Sequence, residues 1–327
     1  MPGLKIEAIG RYLPSRIVTA ADIADQLGVT EKWIVDRTGV AERRWVTDET
    51  PLDMALAATK DALVKASIDA EDIDLIVYAS ATPHQLIPDT STLLQRELGL
   101  GESGTKTFSL HSTCLSFMTA LDVASAFIAT GRHQRILIAS AEIGSAGIDK
   151  SEPESGALLG DMSTAVLVTA DVEGTSSLRS LIQRTYGIGA DLCRMEIGYA
   201  RHPLRVPTTP QDYMFHMDGP EVFRMAHRLF PPIIEEAVAN ADMTLDDIDL
   251  VVPHQASLGA IRSIQRSLGI DDDRVVINID KYGNCVAASL PGALYEAVED
   301  GRLQRGNTVL LAGTGAGLSM AAAVLTW

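Results

Sequence analysis

Cys114 is the residue of this chain whose surroundings point most directly to chemistry. It lies in "FSLHSTCLSF", after a short strand-like run and at the start of the apolar run "CLSFMTALDVASAFIAT". That run predicts a helix buried on most sides. Free N–H groups and the positive end of the dipole at a helix start favour a thiolate, so this position predicts a lowered thiol pKa.

The alternative for Cys114 is an inert packing thiol, which is the common role of a buried cysteine. We expect that role for Cys193 and Cys285, the other two cysteines of the chain. Three is an odd number and no pair has C-x-x-C spacing, so the sequence predicts neither a disulfide framework nor a zinc site.

Three histidines are candidates for an acid–base partner. His254 ends a strand-like run in "VVPHQAS", His84 has the same Pro-His-Gln tripeptide, and His111 lies three residues before Cys114. Polar residues at strand ends commonly mark the active-site edge of an α/β sheet, and histidine exchanges protons near neutral pH. Each of the three could instead be a hydrogen-bonded structural histidine, so the residues alone leave the choice open.

Strand-like runs rich in Val, Ile and Leu alternate with helical stretches along the chain. Near-continuous apolar strands separated by helices predict an α/β fold whose sheets are covered on both faces. The predicted strands are 74–80, 135–142, 164–170, 249–255, 274–280, 307–313 and 319–327. The glycine-rich "AGTGAGLSM" is followed by one of these strands rather than by a helix, so we interpret it as backbone that approaches a reacting group, not as a dinucleotide site.

The two halves of the chain resemble each other at a constant offset of 170 residues. Three short matches share this register: Pro83-His84-Gln85 with Pro253-His254-Gln255, Leu98-Gly99 with Leu268-Gly269, and Gly131-Arg132 with Gly301-Arg302. Self-similarity of this kind predicts a duplication, with halves at 1–172 and 173–327. Cys114 falls on Asn284 in this register, so we expect both to face one central pocket from equivalent helix starts.

Charge and composition exclude several classes of function. The chain has 327 residues, with 27 Lys plus Arg against 43 Asp plus Glu, a formal net charge of −16. Such a charge repels nucleic acid, and it also opposes an acidic carrier protein or coenzyme A unless basic residues gather locally. No apolar run approaches the roughly 20 residues of a membrane helix, and the start lacks signal-peptide features, so we expect a cytoplasmic protein.

Several motifs together resemble the β-ketoacyl-acyl-carrier-protein synthase III branch of the thiolase superfamily. They are the cysteine element around Cys114, "WIVDRTGV", "MDGPEVFRMA", "VVPHQAS", "YGNCVAAS" and the terminal "GTGAGLSMAAAVLTW". The resemblance covers essentially the whole chain. It implies a five-layered αβαβα sandwich of two duplicated halves, usually assembled as a homodimer.

The resemblance also implies a Cys-His-Asn triad at Cys114, His254 and Asn284, and leaves His84 and His111 as loop or packing residues. Cys114 would take an acyl group from acyl-CoA, with the N–H groups of Cys114 and Ala316 holding the oxyanion. His254 and Asn284 would then stabilise the enolate of a decarboxylating malonyl thioester. An ionised aspartate in place of Asn284 could not donate that hydrogen bond. No metal or redox cofactor is needed.

Substrate contacts are implied at further positions. Trp33 and Arg37 match residues that hold coenzyme A, and Ile87 matches one that closes the partner's acyl pocket across the dimer. The family commonly has Cys-Ala-Gly-Phe where this chain has Cys-Leu-Ser-Phe, so Leu115 predicts an altered acyl pocket. A packing tryptophan, a solvated arginine and ordinary interface packing are the alternatives.

Carrier recognition is where the chain departs most from the family. The arginine usually found after the histidine motif, on the surface that docks the carrier, is Gly259 here. Arg262 and Arg266 lie one helical turn apart and could substitute, or could form a solvated helix face.

The function expected from these residues is condensation of an acyl group with malonyl-carrier protein or malonyl-CoA, in fatty-acid or polyketide biosynthesis. The alternatives are an acyltransferase that forms an ester or amide, a condensation without decarboxylation, and a non-catalytic partner subunit.

Overall fold

A computed structural model describes residues 3–327 of the chain. Its strands are β1 Gly3–Tyr12, β2 Arg16–Thr19, β3 Glu42–Trp45, β4 Leu75–Ala79, β5 Lys106–Leu110, β6 Arg135–Ile143, β7 Asp161–Asp171, β8 Ser177–Thr185, β9 Cys193–Arg194, β10 His216–Met217, β11 Leu250–Pro253, β12 Thr308–Gly315 and β13 Ser319–Thr326. Its α-helices are α1 Ala20–Leu27, α2 Glu31–Thr38, α3 Pro51–Ala66, α4 Thr90–Glu97, α5 Ser116–Ala129, α6 Pro153–Gly156, α7 Gly219–Asn240, α8 Leu258–Leu268, α9 Ile279–Tyr282 and α10 Ser289–Glu299. None of the helices within residues 3–327 is both long and apolar enough to span a membrane.

Two mixed sheets organise the molecule. The first has the order β1-β7-β6-β4-β5, in which β4 runs parallel to both β5 and β6, and β7 runs antiparallel to β6 and β1. The second has the order β11-β12-β13-β8, in which one parallel pairing is followed by two antiparallel pairings, as along β4-β6-β7-β1 of the first sheet. The predicted boundary at 172–173 lies in the segment between β7 and β8.

The sheets and helices stack in five layers, which is the architecture that the family resemblance implies. Helices α3 and α4 cover the outer face of the first sheet, where they pack against residues such as Ile76 and Leu137. Helices α7 and α8 cover the outer face of the second sheet. Between the sheets, α5 and α10 share one apolar core with both inner faces, including Val77 and Leu311.

At the starts of α5 and α10, the residues that match between the two halves are not those that the offset of 170 predicts. Thr113 has φ +50° and Val286 has φ +49°, and each opens a 3₁₀ turn, at 113–115 and 286–288, that leads into α5 or α10. These matches give an offset of 173, so the structural counterpart of Cys114 is Ala287 and the pairing with Asn284 is wrong. Since α10 is three residues shorter than α5, the offset returns to 170 after the helices.

Six of the seven predicted strands form, and 274–280 does not. This segment lies beside β11 but makes only an isolated bridge between Val251 and Val275. The Gln255 side chain takes the backbone groups that a ladder would use: its Nε2 donates to the Val276 carbonyl at 3.1 Å, and its Oε1 accepts from the Asn278 N–H at 3.0 Å. A buried glutamine therefore replaces a fifth strand.

Gly10 of β1 allows α3 to lie directly on the first sheet. A Cβ at this position would lie 2.1 Å from the Ala58 carbonyl oxygen. We predict that Gly10→Ala lowers the free energy of unfolding by about 1–3 kcal/mol, because a well-packed contact cannot absorb an extra methyl group. The matched control is Gly198→Ala, since a Cβ there meets no atom within 4 Å. Equal urea midpoints for the two variants would show that the close packing of α3 on Gly10 does not contribute to stability.

Candidate active site

A tight turn between β5 and α5 presents Cys114. Thr113 adopts a left-handed conformation, which is uncommon for a residue other than glycine. The Ser116 hydroxyl accepts from the Ser112 N–H at 2.9 Å and donates to the Thr113 carbonyl at 2.7 Å, which fixes the turn. Cys114 therefore lies in the 3₁₀ turn just before α5, whose first residue is Ser116.

The free thiol is held in its neutral form. Burial raises the pKa of Cys114 to about 12, and the nearby Cys193 and Glu142 add to that rise. The backbone N–H groups of Cys114 and Ala316 act in the opposite direction, lowering the pKa because both favour negative charge on the sulfur. The sequence prediction of a lowered thiol pKa is therefore wrong for the free protein, because desolvation outweighs the effect of the helix start.

The glycines of "GTGAG" bring β12 against this turn. A Cβ at Gly315 would lie 2.8 Å from the Thr113 hydroxyl, and one at Gly313 would lie 3.0 Å from the His254 Cβ. Side chains at either position would push apart the turn and the strand that together aim two N–H groups at the sulfur. The interpretation of this segment as closely approaching backbone agrees with these distances.

His254 follows the last residue of β11 and is buried, with 4% of its surface exposed. Its backbone N–H donates to the Ala312 carbonyl at 2.8 Å, which extends the pairing of β11 with β12 by one residue. Burial lowers the pKa of the imidazole to about 4, and Nδ1 has no hydrogen-bond partner among the described residues. The ring is therefore neutral near pH 7.

Asn284 is positioned by the opposite half of the molecule. Its backbone N–H donates to the Leu158 carbonyl at 2.8 Å, and its carbonyl accepts from the Gly160 N–H at 3.0 Å. Its side-chain Oδ1 accepts from the Val286 N–H at 2.9 Å. Since that donor requires the oxygen, Nδ2 is the donor end of the amide; it donates one hydrogen to the Ala256 carbonyl at 3.5 Å and has a second left for a ligand.

Cys114, His254, Asn284 and Ala316 all line one cavity of about 1180 Å³. This one space thus contains a neutral nucleophile, a neutral imidazole, an amide donor and two N–H groups directed at the sulfur. This set can stabilise a negatively charged oxygen in two places, which is what acyl transfer followed by enolate formation requires.

Other residues of the sequence prediction are placed away from this cavity. Leu115 is fully buried in the core shared by the two sheets, against Gly313 and Gly315, so it does not line the acyl pocket directly. Trp33 packs in part against a separate cluster around α1 and α2. Ile87 is 80% exposed, next to Leu86 at 74%, in the loop before α4. His84 lies in the same loop.

Arg37 does line the cavity, but it forms an ion pair with Glu154 at 2.7 Å. The same holds for the other arginines of the lining: Arg194 pairs with Glu196, and Arg224 pairs with Glu221. The mouth of the cavity therefore carries paired rather than free positive charge.

The two arginines predicted to dock a carrier differ from each other. Arg262 is engaged by Asp272 at 2.9 Å and by the Gln265 side chain at 2.7 Å. Arg266 lies exposed on α8, one turn further along the helix. Neither lines the cavity.

Sequence reasoning missed several residues of the site. Thr82, His111 and Cys193 line the cavity with Cys114, although His111 was expected to be a loop or packing residue and Cys193 an inert packing thiol. Cys193 is half-buried, and burial raises its thiol pKa to about 11. The signal for Thr82 would have been its place, just after β4, at the end of a central strand.

Glu142 is the most informative of the missed residues. It is fully buried at the end of β6, where its carboxylate accepts hydrogen bonds from the Ser80 hydroxyl, the Ala81 N–H and the Thr82 hydroxyl, each at 2.9 Å. Burial raises its pKa to about 7, although these donors and the Ala287 N–H lower it. An acidic residue inside the apolar run "RILIASAEI" was the available signal.

The register of the sheets makes Glu142 the counterpart of Gly315. The first residue of β4 pairs with Ile136 and the first residue of β11 pairs with Val309. Glu142 and Gly315 each lie six residues further along their strands. In the first half, the Glu142 carboxylate therefore fills a place beside the turn. In the second half, Gly315 has no side chain and leaves the matching place beside Cys114 open.

Comparison with known proteins identifies the class. Family models of 3-oxoacyl-[acyl-carrier-protein] synthase III match residues 108–187, and the C-terminal model of the same family matches residues 238–327. A β-ketoacyl-[acyl-carrier-protein] synthase III of Rhodospirillum centenum is 38% identical over 97% of each chain. A crystal structure of 3-oxoacyl-[acyl-carrier-protein] synthase III from Aquifex aeolicus VF5 is 33% identical, with a TM-score of 0.92 over 99% of this chain and all of that one.

A further solved structure, the priming β-ketosynthase of the R1128 polyketide pathway, is 30% identical with a TM-score of 0.90, over 99% of this chain and 96% of that one. The fold and these relatives define a condensing enzyme of the acyltransferase class, built on the thiolase fold. The chain belongs to the β-ketoacyl-acyl-carrier-protein synthase III family.

The raised thiol pKa predicts how Cys114 reacts with iodoacetamide in the free enzyme. Because only the thiolate reacts, the alkylation rate should rise about tenfold per pH unit from about pH 7 to about pH 9, without a plateau. Glu142→Gln should speed alkylation at each pH, since the carboxylate raises the thiol pKa. Peptide mapping by mass spectrometry measures the rate at this cysteine, with Cys114→Ala as the blank. A plateau below about pH 8 would mean that the thiol pKa is low after all.

Proposed function

We propose that this enzyme transfers an acyl group from acyl-CoA to Cys114 and then condenses it with a malonyl thioester, losing CO2. The observation that carries the proposal is the shared cavity in which the Cys114 and Ala316 N–H groups act on one sulfur while His254 and Asn284 line the same space. The proposed catalytic residues are Cys114, His254 and Asn284. No metal or redox cofactor takes part in the proposed reaction.

In the first stage, the Cys114 sulfur attacks the thioester carbonyl. The thiol proton leaves as the new S–C bond forms, and the neutral His254 is the base available to take it. The carbonyl oxygen becomes negative and is stabilised by the N–H groups of Cys114 and Ala316. The CoA sulfur departs as the tetrahedral intermediate collapses, takes the proton back from His254 and leaves as the thiol, so that His254 is neutral again.

In the second stage, the malonyl thioester loses CO2, and the electron pair of the broken C–C bond moves into an enolate. Neutral His254 and the Nδ2 group of Asn284 donate hydrogen bonds to the enolate oxygen. The enolate carbon then attacks the acyl carbon on Cys114, the C–S bond breaks, and the cysteine sulfur leaves as a thiolate that takes a proton from solvent. The lowered pKa of His254, at about 4, supports the neutral form that this role requires above about pH 5.

Acyl-CoA is the donor that we propose, and a malonyl-carrier protein or malonyl-CoA is the acceptor, in fatty-acid or polyketide biosynthesis. Arg37 lies at the cavity mouth, so it could reach a CoA phosphate by exchanging Glu154 for that anion. Trp33 remains a proposed adenine contact. Arg266, which is exposed on α8, is the better candidate of the two arginines for carrier docking, since Arg262 is already paired with Asp272.

We further propose a homodimer in which the loop with Leu86 and Ile87 is covered. Two adjacent, strongly exposed aliphatic side chains support an interface at this place. Ile87 would then reach the acyl pocket of the partner.

The test follows acyl transfer and condensation separately. Incubation with acyl-CoA should add one acyl mass to the protein, and Cys114→Ala should abolish it while Cys193→Ala retains it. Asn284→Asp should keep the adduct but lower CO2 release and condensation by about 10²–10³-fold, since an ionised aspartate cannot donate to the enolate. No adduct at any chain length would overturn the proposal, and an ester or amide product without CO2 would indicate the alternative acyltransferase.

A further inference from the structure

The catalytic cavity continues away from Cys114, between helices α7 and α8 and the outer face of the second sheet. On α7, its lining includes Val222, Ala226, Phe230 and Ile234. The spacing of four residues puts these side chains on one face of the helix. The arm of the cavity, as we call this extension, therefore follows the axis of α7.

The other walls of the arm are also apolar. Helix α8 contributes Ile264 and Leu268, and the sheet contributes Leu310 and Ala312 of β12. These side chains offer no hydrogen-bond partner to a ligand. The arm therefore suits a ligand with no polar groups of its own.

Two polar side chains of the arm, Ser263 and Gln265, are already engaged. The Ser263 hydroxyl lies 3.1 Å from Nδ1 of His227, and Nε2 of Gln265 donates to the Ile270 carbonyl at 3.0 Å. A polar group at this depth would lose its hydration without finding a free partner. The arm therefore favours an apolar chain over a sugar, a nucleotide or a peptide as the occupant.

Strand β12 connects the arm to the reacting sulfur. The Ala316 N–H acts on Cys114, whereas Ala312 and Leu310 lie four and six residues back along the chain. At the rise of an extended strand, these positions are about 13 and 20 Å from the sulfur. The cavity volume of about 1180 Å³ also exceeds the roughly 300–1,000 Å³ of ordinary small-molecule pockets.

We propose that the arm binds the unbranched aliphatic chain of a long-chain acyl thioester. The stripe from Val222 to Ile234 spans about 18 Å of helix. Carbon–carbon bonds of about 1.52 Å at angles near 111° advance about 1.25 Å each, so an extended chain of about 14 carbons fits this length. This proposal rests on the proposed function, because the chain enters as part of a thioester substrate of the same site.

The test uses two substitutions that fill the arm at different depths. Ala226→Phe fills its middle, Leu268→Trp fills its far end, and Ala239→Phe adds the same aromatic ring on the exposed face of α7 as a control. Acylation of Cys114 is measured by intact mass with acetyl-, octanoyl- and tetradecanoyl-CoA, after thermal unfolding shows that each variant is folded.

In Ala226→Phe, the ratio of tetradecanoyl to acetyl rates should fall at least about tenfold relative to wild type, since each buried methylene adds about 0.8 kcal/mol of binding. Leu268→Trp should lower the tetradecanoyl rate but not the octanoyl-to-acetyl ratio. Ala239→Phe should match wild type. Ratios that do not change in either filling variant would overturn the arm as a donor site.

The aliphatic chain in the arm could also be part of the acceptor thioester. A second experiment distinguishes a donor chain from an acceptor chain. Acetyl-loaded enzyme is given malonyl-CoA with or without a dodecyl group on the malonyl C2 carbon. Selective loss of the alkylated acceptor in Ala226→Phe would place the acceptor chain in the arm. If neither donor nor acceptor responds, the proposal fails.

Binding without chemistry separates this proposal from the proposed function. Tetradecanoate is titrated calorimetrically into wild type, Ala226→Phe and Ala239→Phe. Binding that is at least about tenfold weaker in Ala226→Phe alone supports the arm even if Cys114 never becomes acylated. Equal affinity in all three proteins overturns the arm even if acylation is normal.

Discussion

The candidate active site depends on the packing of α5 and α10 into one apolar layer between the two sheets. Because both helices are buried against the same core, the turns that lead into them are brought into contact with each other. Cys114 lies in one of these turns, and Asn284 lies just before the other. Apolar burial has no preferred direction by itself. Here the burial of two helices in one core nevertheless fixes the positions of Cys114 and Asn284 relative to each other.

Burial also decides the protonation states in the site. The same loss of hydration raises the pKa of the thiol and lowers the pKa of the imidazole, since each then avoids its charged form. The free enzyme therefore holds two neutral groups rather than an ion pair.

Much of this fold could be predicted from the sequence, because apolar runs of strand length report burial on both faces. The segment 274–280 has the same composition, yet the side chain of Gln255 occupies its backbone groups, and no local pattern reveals that contact. The offset of 170 was right at Gly131 and Gly301 but wrong at Cys114. A helix shortened by three residues changes the register without changing the motifs on either side of it.

The site was less predictable than the fold for a related reason. Motifs locate Cys114, His254 and Asn284, but the pKa of a thiol depends on how completely distant segments cover it. The ion pairs of Arg37 and Arg194 likewise depend on which carboxylates fold beside them. Leu115 follows the nucleophile in the chain, yet the turn directs its side chain into the core rather than into the cavity.

The carboxylate of Glu142 bears on why a duplicated protein has a single reactive centre. Two turns of the same conformation could each hold an anion, and in one of them the chain supplies its own. The matching position of the other half is Gly315, where a Cβ would lie 2.8 Å from the Thr113 hydroxyl, so no side chain fills that turn. One of the two matching turns is thus filled by the protein's own carboxyl group, and the other opens into the cavity that Cys114 lines.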